Sequence, residues 1–411
     1  MSERFVIVGA GECGARAALA LREQGFAGAV TLIGAETYLP YERPPLSKQA
    51  MAGLETPLPK TIASTERLTE ADISFCGGTW VTAIDRPNKR LVLSGEETLG
   101  YDRLLLATGC VPRRLPVPGA DAASIAYLRT YDDALAIRSR IEGGAHVAII
   151  GGGFIGLELA SSARRRGAEV TLIEALPRLL TRGVPESLAR RVEDEHRTHG
   201  VRMMFGDGIA ELRCDAAGTQ VVLTSGNEIA ADLIVVGIGA VPVTGPAEAA
   251  GLVVENGIAV DEMLRTSDPD IFAAGDCCSY PLPIYGGRRV RLESWRNAQD
   301  QGNLVARNMM GTNEAIASVP WFWSDQYELT LQITGLVDEG HETVTRALGD
   351  GATIHFHLAT DGRLVAASGI GPGNAVAKDI RLAEMLIGRG ARPDPTALGD
   401  AGVRLKGLLA A

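Results

Sequence analysis

Two trios of glycine and a few isolated carboxylates carry the chemistry legible in this chain of 411 residues. Gly9, Gly11 and Gly14 form one G-x-G-x-x-G, and Gly151, Gly153 and Gly156 form a second. In such a trio the first glycine makes a tight turn, the second lets backbone approach a pyrophosphate with no Cβ in the way, and the third lets a helix pack closely on a strand. The amides freed at the helix start then hold the anion. A single trio is also what a glycine-rich turn without a ligand looks like, so the second copy decides the matter: two dinucleotides can bind one chain. Glu174 stands about 20 residues beyond the second trio, where a carboxylate accepts ribose hydroxyls and repels a 2′-phosphate, which predicts NADH rather than NADPH. Arg178 and Arg182 lie close by and oppose that preference, since an arginine can accommodate the phosphate. Asp276 follows Gly275, a position suited to bonding ligand hydroxyls and equally suited to capping a helix.

These residues require particular elements. Phe5 to Val8 is an apolar run of strand length and Ala15 to Glu23 continues with helical apolar spacing, so the first trio sits in a βαβ entry. Val147 to Glu174 repeats it, with Gly9, Gly11, Gly14 and Gly25 mapping onto Gly151, Gly153, Gly156 and Gly167. Leu104 to Pro112 (LLLATGCVP) likewise matches Ile234 to Pro242 (IVVGIGAVP), so each copy closes with an apolar strand and a glycine turn. The predicted fold is α/β, with two Rossmann-like dinucleotide-binding domains followed by a C-terminal α+β domain. Residues 1–112 and 243–318 form the first domain, 113–242 the second and 319–411 the third.

Composition bounds the function. Hydrophobic content of 46% and charged content of 22% are ordinary for a soluble globular protein. A net charge of -10 argues against general affinity for nucleic acid or anionic membrane. No apolar run approaches the roughly 18 residues of a membrane span, and a strand beginning by Phe5 leaves no room for a signal peptide, which predicts a cytoplasmic protein. Cys13, Cys76, Cys110, Cys214, Cys277 and Cys278 show no C-x-x-C and no metal-ligand spacing, so reduced thiols and no metal are expected.

Tyr38 to Lys48 (YLPYERPPLSK) reads as an ordered loop leaving the sheet, because paired prolines cannot continue a helix or sit in a central strand. Ile73 to Leu99 suggests a small antiparallel excursion, and Tyr101 to Gly109 returns to the parallel sheet, ending in Ala107-Thr108-Gly109. Pro112, Pro116 and Pro118 mark a linker. Ile271 to Ala274 is a buried strand that delivers Gly275 and Asp276 to the sheet edge where such folds bind ligands. A helix from about Trp295 to Met310 follows. Beyond Val319 the strands Leu329 to Gly335, Thr353 to Ala359 and Leu364 to Ser368 precede an amphipathic helix with Val376, Ile380, Ala383 and Ile387 on its apolar face. Trp295, Trp321 and Trp323 gather at the start of this region, as aromatic core or as a face for a flat cofactor or partner.

Taken in order, YERPPLSK, LRTYDDA, GGGFIGLELA, AAGDC, ESWRNAQDQG and WFWSDQ resemble the ferredoxin reductase components of bacterial oxygenase systems, within the two-dinucleotide flavoproteins of the glutathione reductase type. The resemblance covers the whole chain. It implies FAD in the first unit and NADH in the second. By motif position it puts Gly9, Gly11, Cys13, Gly14, Arg43, Lys48, Val81, Ala107, Thr108, Gly109, Arg129, Gly275, Asp276, Trp295 and Trp323 around the flavin nucleotide. Gly151, Gly153, Ile155, Glu158, Glu174 and Gly239 are then the nicotinamide contacts. Family members commonly carry an acid directly after the glycine that ends the second strand; here Ala35 follows Gly34, and Glu36 is the candidate replacement.

The disulfide-using branches of that family place reactive cysteines by the flavin, whereas the loop here carries Ser47-Lys48 and no cysteine. Electrons then leave the flavin directly, and the natural outlet is a one-electron carrier such as an iron-sulfur ferredoxin. Lys48 and Glu158 are expected as a buried catalytic pair that orders the nicotinamide and tunes the flavin, because an unpartnered carboxylate in a dry cleft is costly. An acid at a helix start is otherwise explained by the helix dipole. Ferredoxins are usually acidic, so docking calls for a basic patch, with Arg288, Arg289, Arg291, Arg296 and Arg307 as candidates. Rubredoxin, quinone or monodehydroascorbate reductases share most of these motifs, and a non-enzymatic signalling flavoprotein resembling apoptosis-inducing factor shares the fold.

Overall fold

The structure, a computed structural model, describes residues 3–409 apart from 54, 123, 142, 216 and 217. The chain forms two compact units, one from Met1–Glu42, Pro59–Val111 and Val241–Pro320, the other from Arg43–Leu58, Pro112–Ala240 and Trp321–Ala411.

The first unit is organised on a five-stranded parallel sheet in the order Ile271–Ala273, Arg103–Leu106, Arg4–Val8, Ala29–Ile33, Ile73–Cys76. Its central strands are near-continuous apolar runs, as expected of strands covered on both faces. The helix Glu12–Glu23 packs against the helix Trp295–Met309, whose Gly302 permits the approach: a Cβ there would stand 2.8 Å from the Cys13 carbonyl oxygen. Strands Val81–Asp85, Arg90–Leu93 and Thr98–Gly100 make the antiparallel excursion.

The second unit repeats the plan. Its parallel sheet runs Ile125–Ala126, Leu233–Val236, His146–Ile150, Glu169–Glu174, Val201–Phe205, with an antiparallel excursion Ile209–Asp215, Gly218–Leu223, Glu228–Ala231 at the equivalent place in the chain. Between sheet and excursion lies an apolar core that includes Ile150, Ile173, Leu212, Val221, Leu223 and Ile234. This unit also holds an antiparallel sheet, ordered Trp321–Gln326, Leu329–Gly335, Leu364–Pro372, Thr353–Leu358, Glu342–Ala347. Helix Ala377–Gly388 covers it, and Ile380, Ala383 and Ile387 are buried as their spacing predicts, with Val376 buried just ahead of the helix.

Within the ordered loop Tyr38–Lys48, Pro44–Ser47 is a 3-10 turn, and a short helix Gln49–Ala52 follows the loop. Proline is tolerated there because the first helical residues have no N–H acceptor to lose. The strand expected to end at Ser368 continues to Pro372, since Gly369 and Gly371 accept ladder pairing from Gln332 and Thr330.

Candidate functional site

Each glycine trio does the same three things. Gly9 and Gly151 hold φ of 110° and 112°, and a Cβ on either would strike the carbonyl of Ala107 or Gly237. A Cβ on Gly14 or Gly156 would strike the carbonyl of the first glycine in its own trio. Gly11 and Gly153 differ: a Cβ there would meet nothing within 4 Å. Both are helix N-caps with no side chain to accept from the first-turn amides, which leaves those amides uncapped. A pyrophosphate fits that combination of bare amides and vacant volume, and the donor set is right for it in both units.

In the first unit, Ala107, Thr108 and Gly109 follow the strand Arg103–Leu106, and the Thr108 hydroxyl donates to the Val243 carbonyl at 2.7 Å. Gly275 and Asp276 follow Ile271–Ala273 on the neighbouring strand, as expected. Asp276 accepts from the Cys110 thiol at 3.4 Å, and its carbonyl accepts from Arg291 at 3.2 Å. Cys13 is buried beside Gly275, and burial first, then nearby Cys277 and Asp276, push its thiol well above the usual range. It is therefore a packing residue rather than a nucleophile. The Glu36 carboxylate accepts from Tyr41 at 2.5 Å, and Val81 is half-buried at the start of the excursion. Trp295 does not stand alone: its indole N–H donates at 3.0 Å to Glu12, which Gln299 also holds at 2.9 Å. Burial raises the pKa of Glu12 against those two bonds. Sequence reasoning missed Glu12, although it occupies the variable position right after Gly11.

The second unit contains Arg43, Lys48 and Arg129 together with the nicotinamide candidates. Arg43 donates to the Arg129 carbonyl at 2.7 Å. Lys48 Nζ stands 3.3 Å from Glu158 Oε1, 3.6 Å from Asp325 Oδ2 and 5.2 Å from the centre of the Trp323 ring. Trp323 stacks on Trp321 and donates to Asp325 at 3.2 Å. Glu158 is buried; the hydroxyls of Ser47 and Ser324 each donate to it at 2.6 Å. Burial raises its pKa, and Lys48 is the largest opposing influence. The residues sequence reasoning overlooked here are Ser47, Ser324 and Asp325. Only YERPPLSK and WFWSDQ hinted at them, by placing polar residues beside the aromatic and proline signals.

Ile155 is 50% exposed in the first turn after Gly153, an apolar side chain turned outward beside the anion cradle. Glu174 ends its strand with both oxygens held, by the N–H groups of Gly152 at 2.7 Å and Leu176 at 2.8 Å. That fixes the carboxylate at the mouth of the trio. Arg178 spends its guanidinium on the carbonyls of Leu179, Leu180 and Val184, whereas Arg182 reaches toward Gly239.

The arginine cluster lies in the first unit. Arg289 faces Glu255 at 3.7 Å, Arg291 faces Glu293 at 2.6 Å, Arg296 faces Asp300 at 3.2 Å and Arg307 faces Glu314 at 2.9 Å, so much of its charge is locally opposed. All six cysteines are free thiols, and none lies in the Lys48 segment. Among the described residues, no helix is long and apolar enough to cross a membrane, and no group of His, Cys, Asp and Glu is arranged to hold a metal.

Two glycine cradles on successive parallel sheets, with a half-buried lysine paired to a buried glutamate in the second unit rather than the fully buried pair expected, define a two-nucleotide oxidoreductase fold. The chain belongs to the pyridine nucleotide-disulphide oxidoreductase family, whose model matches residues 3–302, and residues 321–409 match the reductase C-terminal family. The ferredoxin–NAD(+) reductase component of the anthranilate 1,2-dioxygenase system of Burkholderia cepacia is 42% identical, over 99% of this chain and 100% of that one. Putidaredoxin reductase of Pseudomonas putida is 36% identical, over 100% of this chain and 97% of that one. The crystal structure of the covalent putidaredoxin reductase–putidaredoxin complex superposes with a TM-score of 0.93 at 34% identity, covering 99% and 98% of the two chains.

Proposed function

We propose that this chain is an FAD-containing oxidoreductase that takes a hydride from NADH and delivers electrons singly to a ferredoxin serving an oxygenase. When bound, FAD supplies the conversion of one two-electron donor into two one-electron transfers. The observation that carries the reading is the pair of uncapped glycine cradles combined with a Lys48 segment that has no cysteine. No thiol stands ready there to relay electrons to a disulfide. The full-length relatives named as ferredoxin reductases, and the neighbour crystallised joined to putidaredoxin, support a protein acceptor.

The residues divide the work. Gly9, Gly11 and Gly14 with Asp276 hold FAD, and Gly151, Gly153, Gly156 and Glu174 hold NADH. Lys48 and Glu158 order the nicotinamide and set the local charge; hydride transfer needs no strong base, so the pair moves no proton in that step. Three domains serve these roles: residues 1–112 with 243–318 for FAD, 113–242 for NADH and 319–411 for the C-terminal domain. The partner is an iron-sulfur ferredoxin, docking against the arginines around Arg288. The free thiols suit a reducing cytoplasm.

Anaerobic titration with NADH, followed by addition of ferredoxins, rubredoxins, quinones and disulfides, tests the reading. Flavin absorbance bleached by NADH and restored fastest by a ferredoxin supports it. Faster restoration by a quinone or disulfide overturns it.

A further inference from the structure

Behind Glu158 the second unit carries a buried line of polar side chains that the roles above do not use. Ser324 Oγ donates to Glu158 Oε1 at 2.6 Å, Gln326 Nε2 donates to Ser324 Oγ at 2.9 Å, and Gln326 Oε1 faces His196 Nε2 at 2.9 Å. Relative exposure along the line is 7% for Glu158, 1% for Ser324, 1% for Gln326 and 0% for His196. The four come from three separate elements of the chain: the helix Phe154–Arg165, the strand Trp321–Gln326, which supplies two, and the helix Glu186–Thr198.

The polarity of the line follows from donor and acceptor counting. A carboxylate only accepts, so the Ser324 proton points at Glu158. The serine oxygen must then be the acceptor for the Gln326 amide N–H, which turns the Gln326 carbonyl toward His196. His196 therefore carries its proton on Nε2, and every bond points the same way, toward Glu158. Its other nitrogen, Nδ1, is buried with no partner, so a second proton there would be an unpaired buried donor. Burial accordingly holds His196 down to about 4, so it stays neutral as a donor at working pH. The charged and titratable groups around it are His199 and Tyr327, with Arg164 and Arg165 beside Tyr327 and Glu195 on its own helix; among the described residues, no carboxylate hydrogen-bonds the imidazole. Aligned hydrogen bonds polarise one another in a low-dielectric interior, so the end of the line nearest the carboxylate is strengthened by the members behind it.

We propose that His196, Gln326 and Ser324 are positioning residues that keep Glu158 ionised and fixed as the counter-charge of Lys48. This rests on the Lys48–Glu158 reading above and deepens it. The C-terminal sheet, through the strand Trp321–Gln326, thereby sets the charge state of a carboxylate on the nicotinamide-binding sheet's first helix.

The test is stopped-flow reduction of the FAD-loaded protein by NADH across pH. Glu158→Gln serves as the reference: if it and Lys48→Met reduce as fast as wild type, the pair reading itself fails and the line has nothing to support. With those controls affected, Ser324→Ala should move the acid limb of the profile to higher pH, with the rate on that limb down about tenfold, the equivalent of one hydrogen bond to a charged group. Ser324→Thr, which retains the hydroxyl, should restore it, and Gln326→Leu should give a smaller shift the same way. An unchanged acid limb in Ser324→Ala overturns the proposal. Should a buried variant not fold, nitrogen NMR of the histidines in wild-type holoenzyme decides: a neutral His196 protonated on Nε2, perturbed in Glu158→Gln, supports it, and a charged or Nδ1-protonated His196 refutes it.

Discussion

Replacing Lys48 by methionine keeps an unbranched apolar stem, one atom shorter, and removes the charge 3.3 Å from Glu158. Breaking a pair buried at both ends ordinarily costs about 3–5 kcal/mol, because the remaining charge is stranded; Lys48 is only half-buried, so the loss lies below that range. Glu158 has an escape, which is to take up a proton. Against its ordinary value of 4.5, that escape costs about 1.36 kcal/mol per pH unit, or about 0.7 kcal/mol at pH 5 and about 3.4 kcal/mol at pH 7. Those figures cap the pH-dependent part of the loss at each pH. The sign follows from the direction of the shift. Burial already raises the Glu158 pKa in the folded protein, and losing Lys48 raises it further. Stability relative to wild type is therefore retained below the unfolded pKa and lost as pH rises through the folded one. Denaturant unfolding of the FAD-loaded protein from pH 5 to pH 8 should show a deficit for Lys48→Met that widens with pH, and adding Glu158→Gln should flatten it. FAD should remain bound while reduction by NADH slows. A deficit that is constant or shrinks as pH rises would show that Lys48 acts by packing on Trp323 rather than by charge.

Gly11→Val should give folded, colourless protein, because its Cβ meets no protein atom within 4 Å and its methyls would occupy the space proposed for the pyrophosphate; full FAD occupancy would remove the first cradle from the assignment. NADH should be strongly preferred over NADPH, and Glu174→Ser should narrow the preference by at least tenfold in kcat/KM, with Arg182 left as the nearby cation; equal efficiency of the two nucleotides in wild type would refute the role of Glu174. Reduction of the ferredoxin should fall as salt rises, and Arg288→Glu should weaken it while ferricyanide reduction stays nearly intact. If both activities fall, the arginine serves folding or cofactor binding, and if neither falls, the partner docks elsewhere.

The repeat made most of the fold legible. Gly9 and Gly151, Val8 and Ile150, and Leu104 and Ile234 occupy equivalent places, so the repeat marks the same strands in both copies, and the structure pairs them alike, Val6 with Leu104 and Ala148 with Ile234. The edge strand Glu342–Ala347 was not legible for a physical reason. Its sequence, ETVTRA, shows no apolar face, and its one buried residue is Arg346, which donates to the carbonyls of Leu398 and Val403. A buried guanidinium held at its two terminal nitrogens by distant backbone carbonyls leaves no periodic trace. The electrostatic partners of Glu158 escaped for the same kind of reason: Ser47 and Ser324 lie 111 and 166 residues from it, and serine is too common to announce itself.

The strand Trp321–Gln326 shows how such a trace is inverted. WFWSDQ suggests that the aromatic half is core and the polar half is surface, yet Ser324 and Gln326 are its most buried members and the indoles of Trp321 and Trp323 are only partly covered. Hydrophobic period reads a face as apolar when burial is driven by transfer out of water. Here the buried face is polar because Glu158 requires donors, and each polar group is satisfied by the next. Apolar residues at positions 324 and 326 would suit a strand in isolation. They would also strand Glu158 Oε1 with Lys48 as its remaining partner and leave His196 without an acceptor, so the loss is two unmade bonds to buried groups, about 1–3 kcal/mol each. The sequence pattern that looks least like a core strand is therefore the one that the buried carboxylate demands.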